Sequence, residues 1–277
     1  MTEHSESLSQ NMTDEQTVVV RERAVESSTE AATRPTLVGR LCYWWSLFVA
    51  GALLLIIGPP TILVSYLAGR RHWLYPWAHF GARNWLRLSG MKVSVRGLEQ
   101  LDPKQTYIFI SNHRSYLDTA TLFYHLGRRI GIPAKKELLK VPILGYGMGY
   151  VNIMAIDRSS RERAATTVRA ATERIRSGVS FGIFAEGTRA RPGQLLPFKK
   201  GAFYMAVETG VPVVPVAMKN TDWLMGKGTG IARPGTIEMV ILPPIETRGL
   251  ETDEEIARLA IETRRRIAQE LGVTVNP

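Results

Sequence analysis

Two side chains five residues apart, His113 and Asp118, have the chemistry of an acid–base catalyst. In one continuous helix of about 3.6 residues per turn they would point roughly 140° away from each other. The apolar run 106–110 instead predicts a buried strand, and 117–126 predicts a helix that begins with a capping box between Ser115 and Asp118. His113 then lies on the turn, where Asp118 can bond one imidazole nitrogen and leave the other facing outward. This is the geometry of an oriented general base.

The same pair also fits a plain capped helix with one satisfied polar contact, so on its own it decides nothing between a structural and a catalytic role. A metal site is not predicted, because no cysteine and no second histidine stands at a ligand-like spacing from His113. The decision rests on what the rest of the chain places beside these two residues.

Strand-like and helix-like segments alternate after residue 90, which predicts an α/β fold with a central mixed, largely parallel sheet flanked by helices. Prolines make 211–218 suited to an edge or a bulge of that sheet. Residues 132–150 read as a loop with a short helix near 136–140. The other predicted strands are 91–95, 106–110, 151–156, 179–185 and 236–242, and the other predicted helices are 159–177, 199–209 and a last one capped by Thr252 and Glu255.

Polar clusters follow three of these strands, at His113, at Arg158 and at Glu186-Gly187-Thr188-Arg189. Sites in such sheets gather beyond the carboxyl ends of the strands, so the three clusters predict one shared site. A guanidinium can grip two phosphate oxygens, and a carboxylate can hold it in place. Taken singly, Arg158 would be a surface arginine, and Glu186 with Arg189 a local salt bridge.

The composition supports one principal domain with a substantial core, since 45% of the 277 residues are hydrophobic. Cys42 is the single cysteine, so no internal disulfide is predicted. The first 36 residues carry seven acidic and three basic side chains, a net charge of −4, so the rest of the chain carries +14 to give the total of +10. A basic body suits an anionic membrane, a phosphorylated substrate or nucleic acid; nucleic acid is the weakest of these, because no motif that reads it is present.

The predicted organisation is a disordered leader at 1–36, a membrane-anchoring helical segment at 37–90 and an α/β domain at 91–277. Residues 41–68 contain no charge, but Pro59 and Pro60 interrupt them. They predict either one kinked membrane span or a hairpin of two short helices in one leaflet, and a buried soluble helix is the alternative. The following run 72–88 predicts an amphipathic helix on the membrane surface.

Two further motifs have the wrong context for the chemistry they suggest. Ser180 lies in a G-x-S-x-G pattern that would make it a hydrolase nucleophile, yet a strand must precede such a serine and here a helix does. The loop 226–230, GKGTG, lacks the strand and the upstream glycine of a phosphate-binding loop.

Four motifs in order resemble the glycerophospholipid acyltransferases, most closely the bacterial 1-acylglycerol-3-phosphate acyltransferases. They are NHRSYLD, IDR, FAEGTR and VPVVPVAM, with AKKEL and VPILG between the first two. The resemblance covers Met91 to Leu242, together with an apolar N-terminal segment of the family's kind. Many members have Phe where this chain has Ala155, which bears on acceptor shape and chain preference.

The resemblance implies that His113 deprotonates the acceptor hydroxyl, that Asp118 orients it, and that the alkoxide attacks an acyl thioester directly. The donor would be acyl-CoA or acyl carrier protein, and no metal or other cofactor is expected. Residues 211–216 would contribute to the donor or acyl-chain site. The residues implied in binding the glycerol phosphate are Arg158, Glu186, Gly187, Thr188, Arg189 and either Lys135 or Lys136.

The expected reaction is acylation of 1-acylglycerol 3-phosphate to phosphatidic acid, by an enzyme bound to membrane lipids at the cytoplasmic face. The expected partners are lysophosphatidate, the thioester donor and membrane lipids, without nucleic acid. Another acceptor, such as glycerol 3-phosphate or a different lysolipid, is the alternative within this class. From other classes, a serine lipase using Ser180 or a non-catalytic membrane-binding protein would also fit parts of the sequence.

Overall fold

The computed structural model of the protein describes residues 36–156 and 161–275. The predicted leader, except for Thr36, and Arg158 lie outside the described residues. The helices are α1 (Leu37–Leu67), α2 (Leu74–Leu88), α3 (Leu117–His125), α4 (Leu144–Met148), α5 (Arg161–Arg176), α6 (Gly201–Thr209), α7 (Thr221–Met225) and α8 (Asp253–Leu271). The strands are β1 (Met91–Arg96), β2 (Ile108–Ser111), β3 (Ile130–Lys135), β4 (Ile153–Ile156), β5 (Ser180–Phe184), β6 (Val213–Lys219) and β7 (Gly235–Ile241).

The strands form one seven-stranded sheet in the order β1-β7-β6-β2-β5-β3-β4. Every neighbouring pair is parallel except β6 and β7, which are antiparallel. Apolar residues of α2 and α3 pack on one face of the sheet, and those of α5, α6 and α8 pack on the other. The predicted fold class is therefore confirmed, and the adjacent parallel strands β2, β5, β3 and β4 end at one common edge.

β3 was not predicted, because its residues fall in or just before the segment read as a loop. Gly131 and Pro133 weaken the local strand pattern. Parallel pairing with β5 on one side and β4 on the other stabilises the strand, and this is information that a local pattern does not contain. The helical turn at Lys136–Lys140 is confirmed as a 3₁₀ turn.

β6 lies between β7 and β2 in the middle of the sheet, so of the two predicted settings for its prolines, an edge or a bulge, the edge is wrong. The Val213 N–H donates to Ile245 O, and residue 215 directs its nitrogen to the same side because strands alternate. Pairing with β7 begins only at Val216 with Ile241. Pro215 has no N–H to donate. Its nitrogen lies between the Val213–Ile245 hydrogen bond and the Val216–Ile241 pair, where the sheet requires no donor.

α1 is one continuous helix of 31 residues, so the hairpin of two short helices is not formed. It contains both prolines, and the Thr61 hydroxyl donates to Ile57 O at 2.6 Å beside them. It is the one helix in the described part of the chain that is long and apolar enough to cross a membrane. Packing against the domain holds the helix: Trp85 donates its indole N–H to Ser46 O at 3.0 Å, and Ala232 N–H donates to Gly39 O.

Candidate active site

His113 and Asp118 form a hydrogen-bonded pair at the carboxyl end of β2. His113 Nδ1 lies 2.9 Å from Asp118 Oδ2. The Asp118 side chain is fully buried, whereas 17% of the His113 side chain is exposed. Nε2 makes no hydrogen bond to any described residue, so it is available to a ligand. This is the arrangement that the five-residue spacing across a turn predicts.

The turn between β2 and α3 is held by the same carboxylate. The N–H groups of Arg114 and Ser115 each donate to Asp118 Oδ2 at 2.7 Å. The Ser115 hydroxyl accepts from Leu117 N–H at 3.1 Å and donates to Met225 O at 2.6 Å. The predicted capping box is thus formed on its carboxylate side, while the serine oxygen bonds the N–H of residue 117 in place of that of residue 118.

Two neighbours fix the histidine from outside the turn. The Phe184 ring stacks on the imidazole with ring centres 4.0 Å apart and an angle of 17° between planes. The Asn112 side chain donates to Met218 O at 2.9 Å and accepts from Met218 N–H at 2.8 Å, joining the ends of β2 and β6. His113 therefore projects from a backbone that is bonded on both sides, which keeps its side chain in one orientation.

The Glu186 carboxylate accepts hydrogen bonds from backbone N–H groups and not from a described arginine side chain. One carboxylate oxygen accepts from His113 N–H at 2.6 Å, and the other accepts from Leu196 N–H at 2.8 Å. Burial raises the pKa of Glu186 to about 7, against the opposing effect of these two N–H groups and the charge of Arg114. The predicted pairing of Glu186 with Arg189 is absent among the described contacts, since both oxygens already serve the loop.

The loop after β5 docks directly on the His113 turn. Ala190 N–H donates to His113 O at 2.7 Å, and the Arg189 guanidinium lies 3.6 Å from the centre of the Tyr116 ring. Gly187 has φ +72°, and a Cβ at this position would lie 2.9 Å from Lys199 Nζ. The positive φ favours glycine at 187, and the end of the Lys199 side chain lies against it. The Thr188 side chain is exposed next to it.

Two lysines that were not predicted from the sequence also lie at the site. Lys199 reaches Gly187, and Lys227 donates from its side chain to Arg189 O at 2.5 Å. Lys227 belongs to the GKGTG loop, whose glycine-rich pattern suggested only a weak phosphate loop. Lys135 is exposed at the carboxyl end of β3, two strands from β2 on the same edge of the sheet.

An apolar cavity of about 520 Å³ adjoins this edge. Tyr116, Thr119 and Ala120 from the start of α3 line one side, and residues of α1, α2, α4, β3 and β4 line most of the rest. Its volume is in the range of sites for small ligands, and its wall is almost entirely hydrocarbon. The cavity therefore suits an aliphatic chain whose reactive end reaches the turn.

Ser180 is far from His113, because it begins β5 whereas His113 follows the end of β2. Ser111, just before His113, pairs with Phe184, so four residues of strand or roughly 13 Å separate the two sites. The Ser180 hydroxyl is buried and accepts from Tyr107 N–H at 3.1 Å. A serine nucleophile served by His113 is excluded by this placement. No cluster of three potential metal ligands occurs among the described residues.

Comparison with known proteins gives one consistent result. The acyltransferase family model matches residues 92–219. A chloroplast 1-acyl-sn-glycerol-3-phosphate acyltransferase of Brassica napus is 31% identical over 95% of this chain and 77% of its own length. The 1-acyl-sn-glycerol-3-phosphate acyltransferase of Saccharomyces cerevisiae is 37% identical over 63% of this chain, which spans 58% of that protein.

A solved structure has the same architecture. The crystal structure of the 1-acyl-sn-glycerophosphate (LPA) acyltransferase PlsC from Thermotoga maritima matches with a TM-score of 0.73 and 28% sequence identity. The match covers 86% of this chain and 98% of that one. The coverage includes both the α/β sheet and part of the apolar N-terminal region, because the sheet domain alone is shorter than the matched length.

Proposed function

Because this chain belongs to the 1-acyl-sn-glycerol-3-phosphate acyltransferase family, we propose that it transfers an acyl group from a thioester to the free hydroxyl of lysophosphatidate, forming phosphatidate. The observation that carries the proposal is the His113–Asp118 pair, whose other imidazole nitrogen bonds no described residue, while Tyr116, three residues further on, lines the apolar cavity. A buried carboxylate that holds one ring nitrogen sets the tautomer that can accept a proton on the other.

His113 Nε2 takes the proton of the acceptor hydroxyl while the oxygen attacks the thioester carbonyl carbon. Asp118 stabilises the imidazolium that forms, since its charge lies 2.9 Å from Nδ1. The C–S bond then breaks, and the leaving thiolate takes the proton back from His113. The thiol and the new ester leave, and no acyl-enzyme is formed.

Arg189 is the cation that best fits the acceptor phosphate. Its guanidinium is packed on Tyr116, three residues from His113, and this stacking positions it without neutralising it. Lys199 adds positive charge beside Gly187, and Thr188 offers a hydroxyl on the same loop. Lys135 and Arg158, at or beyond the ends of β3 and β4, complete the proposed phosphate site; Glu186 serves it by shaping the loop.

The acyl chain of the thioester fits the apolar cavity, because that cavity opens beside the residues that begin α3. Acyl-CoA and acyl carrier protein present the same thioester to this cavity, so either can be the donor. Neither donor requires a metal or a resident cofactor for the step described.

We further propose that α1 lies along one leaflet, because the domain contacts it over most of its length. Its buried side chains include Ser46, Thr61 and Ser65, whereas Leu55, Ile56 and Leu67 are 64 to 74% exposed. Contacts run from Gly39 to Ile62, which is roughly 35 Å of helix and as long as a bilayer core is thick. A perpendicular helix would pull the domain into hydrocarbon, so we place α1 in the plane of the cytoplasmic leaflet, with its apolar face in lipid.

The test compares His113→Ala with Arg189→Ala in assays of purified protein, using lysophosphatidate with acyl-CoA and with acyl carrier protein, and measuring thiol release. His113→Ala should abolish acyl transfer at every acceptor concentration while vesicle binding is retained. Arg189→Ala should raise the KM for lysophosphatidate roughly ten- to a hundredfold, the value of one charged hydrogen-bonding partner.

The assay includes glycerol 3-phosphate and a phosphate-free lysolipid as competing acceptors. Retention of most of the activity by His113→Ala would defeat the proposed mechanism. Equal loss on phosphorylated and phosphate-free acceptors in Arg189→Ala would show that this arginine does not bind the phosphate. Vesicle binding without any thiol release by the wild-type protein would indicate a non-catalytic membrane protein.

A further inference from the structure

A second pocket of about 420 Å³ lies at the opposite edge of the sheet from His113. Arg129 precedes β3, Asn152 precedes β4, and Arg174 lies near the end of the helix that leads to β5. These positions surround the amino ends of the strands. The length of β3 separates the pocket from Lys135 by roughly 20 Å, so it belongs to no part of the proposed acyl-transfer site.

The pocket is cationic. Its lining contains His72, Arg129 and Arg174, and it contains no aspartate or glutamate. Arg129 is exposed and forms no ion pair with any described carboxylate; its guanidinium lies 6.0 Å from the ring of Tyr75. Positive groups gathered without a counter-charge repel one another, which favours an anionic ligand between them.

Neutral groups hold the pocket in shape. Asn152 Oδ1 accepts from the Arg174 guanidinium at 2.5 Å, which orients the charge and leaves it uncompensated. Asn152 itself has φ 58°, a conformation that asparagine tolerates better than most residues. The buried Tyr75 hydroxyl accepts from Ile130 N–H at 2.6 Å and donates to Ile130 O at 2.9 Å. Burial raises the pKa of Tyr75 to about 12, so that hydroxyl remains a donor.

The end of α1 adjoins this pocket. Gly69, two residues after the helix, lines it, and the preceding Tyr66 and Leu67 are 65% and 74% exposed. Trp73 is also exposed, with the Arg70 guanidinium 5.3 Å from the centre of its ring. Tryptophan and tyrosine beside basic residues are typical of the level of lipid headgroups. An anion in this pocket would therefore lie where the surface of the helix changes from apolar to cationic.

We propose that this pocket, between Arg129 and Arg174, binds the headgroup phosphate of an anionic phospholipid whose acyl chains lie along the end of α1. Two guanidinium groups suit the oxygens of one phosphate, and the exposed apolar residues of α1 suit the chains. A free inorganic phosphate would use the guanidinium groups but not the apolar residues. This inference concerns lipid binding and does not depend on acyl transfer.

The experiment measures sedimentation of the full chain with vesicles of phosphatidylcholine alone and of phosphatidylcholine containing phosphatidylglycerol. Wild-type protein should prefer the anionic vesicles. In Arg129→Gln/Arg174→Gln the preference for anionic over neutral vesicles should fall roughly 30-fold, which is the effect of two basic side chains at an anionic surface. Binding to neutral vesicles through α1, and acyl transfer in neutral detergent, should not change.

A matched control, Arg248→Gln/Arg258→Gln, removes the same charge at exposed positions outside the pocket and should keep the preference. Arg129→Lys/Arg174→Lys restores the charge and should recover most of it, which separates lost charge from lost folding. Equal loss in the pocket and control variants would overturn the proposal. A second outcome would contradict the lipid assignment. Inorganic phosphate alone would raise the unfolding temperature of wild-type protein but not of Arg129→Gln/Arg174→Gln, while the two proteins would show the same preference for anionic vesicles.

Discussion

The two regions that meet at the proposed active site are built in opposite ways. At the carboxyl edge of the sheet Asn112, Ser115 and Asp118 are fully buried, and each makes at least two hydrogen bonds. The region of α1 and the apolar cavity is held mainly by packing, and much of α1 is exposed. Proton transfer requires fixed distances, whereas an acyl chain needs only an apolar space of suitable length. The first region should therefore respond to the loss of single atoms and the second to changes in volume.

The largest effect is expected from Asp118→Asn. The amide can still accept the N–H groups of Arg114 and Ser115, so the turn should persist, but it carries no charge to stabilise the imidazolium of His113. We expect kcat to fall by about 10⁴-fold, as when a neutral amide replaces the carboxylate of other His–Asp pairs. Thiol release measured at saturating donor tests this, with vesicle binding and the unfolding temperature as controls. A loss below tenfold would show that Asp118 is chiefly structural.

A smaller effect, on selectivity, is expected from Gly58→Ala in α1. The new Cβ would lie 2.4 Å from Ile143 Cγ2, and both residues line the cavity. Ile143, with φ 66°, has little freedom to withdraw. We expect kcat/KM for long-chain donors to fall roughly tenfold relative to shorter ones, the usual value of a methyl group in an apolar site.

The matched control is Gly51→Ala in the same helix, where nothing lies within 4 Å of the added atom. It gives the same gain in helix propensity without the clash. Chain-length profiles measured for both variants would separate the two effects. Identical profiles would mean that the wall at Gly58 does not limit the acyl chain.

The polar region was largely predictable from the sequence, because contacts between neighbouring residues determine its structure. The spacing of His113 and Asp118 around Ser115 defines a strand, a turn and a helix start within seven residues. The same kind of local signal correctly located the Thr252–Glu255 capping box of α8. Where a contact is made between neighbours in sequence, propensity and hydrogen-bonding capacity determine it.

Contacts between distant segments were not readable in the same way. Lys199 and Lys227 reach the loop after β5 from other elements, and only the folded chain brings them there. The prolines of α1 and β6 were interpreted by local rules, but packing keeps the first helix continuous and the gap beside β7 accommodates Pro215. Residues that reach the site only through the tertiary fold therefore could not be predicted from a single sequence.

An effect on stability, and not on acyl transfer, is expected from Glu186→Gln, which tests how tightly the polar region is closed. Burial raises the pKa of Glu186 from 4.5 to about 7, so between these values the folded protein binds a proton that the unfolded chain has released. Stability from this group therefore falls as pH rises through that window. From about pH 5 to about pH 8, the free energy of unfolding of Glu186→Gln should rise relative to wild type by up to about 3 kcal/mol. Denaturant titrations at both pH values measure it, with the exposed Glu246→Gln as the control. A difference that stays constant with pH would mean that water reaches Glu186 and that the loop under His113 is open.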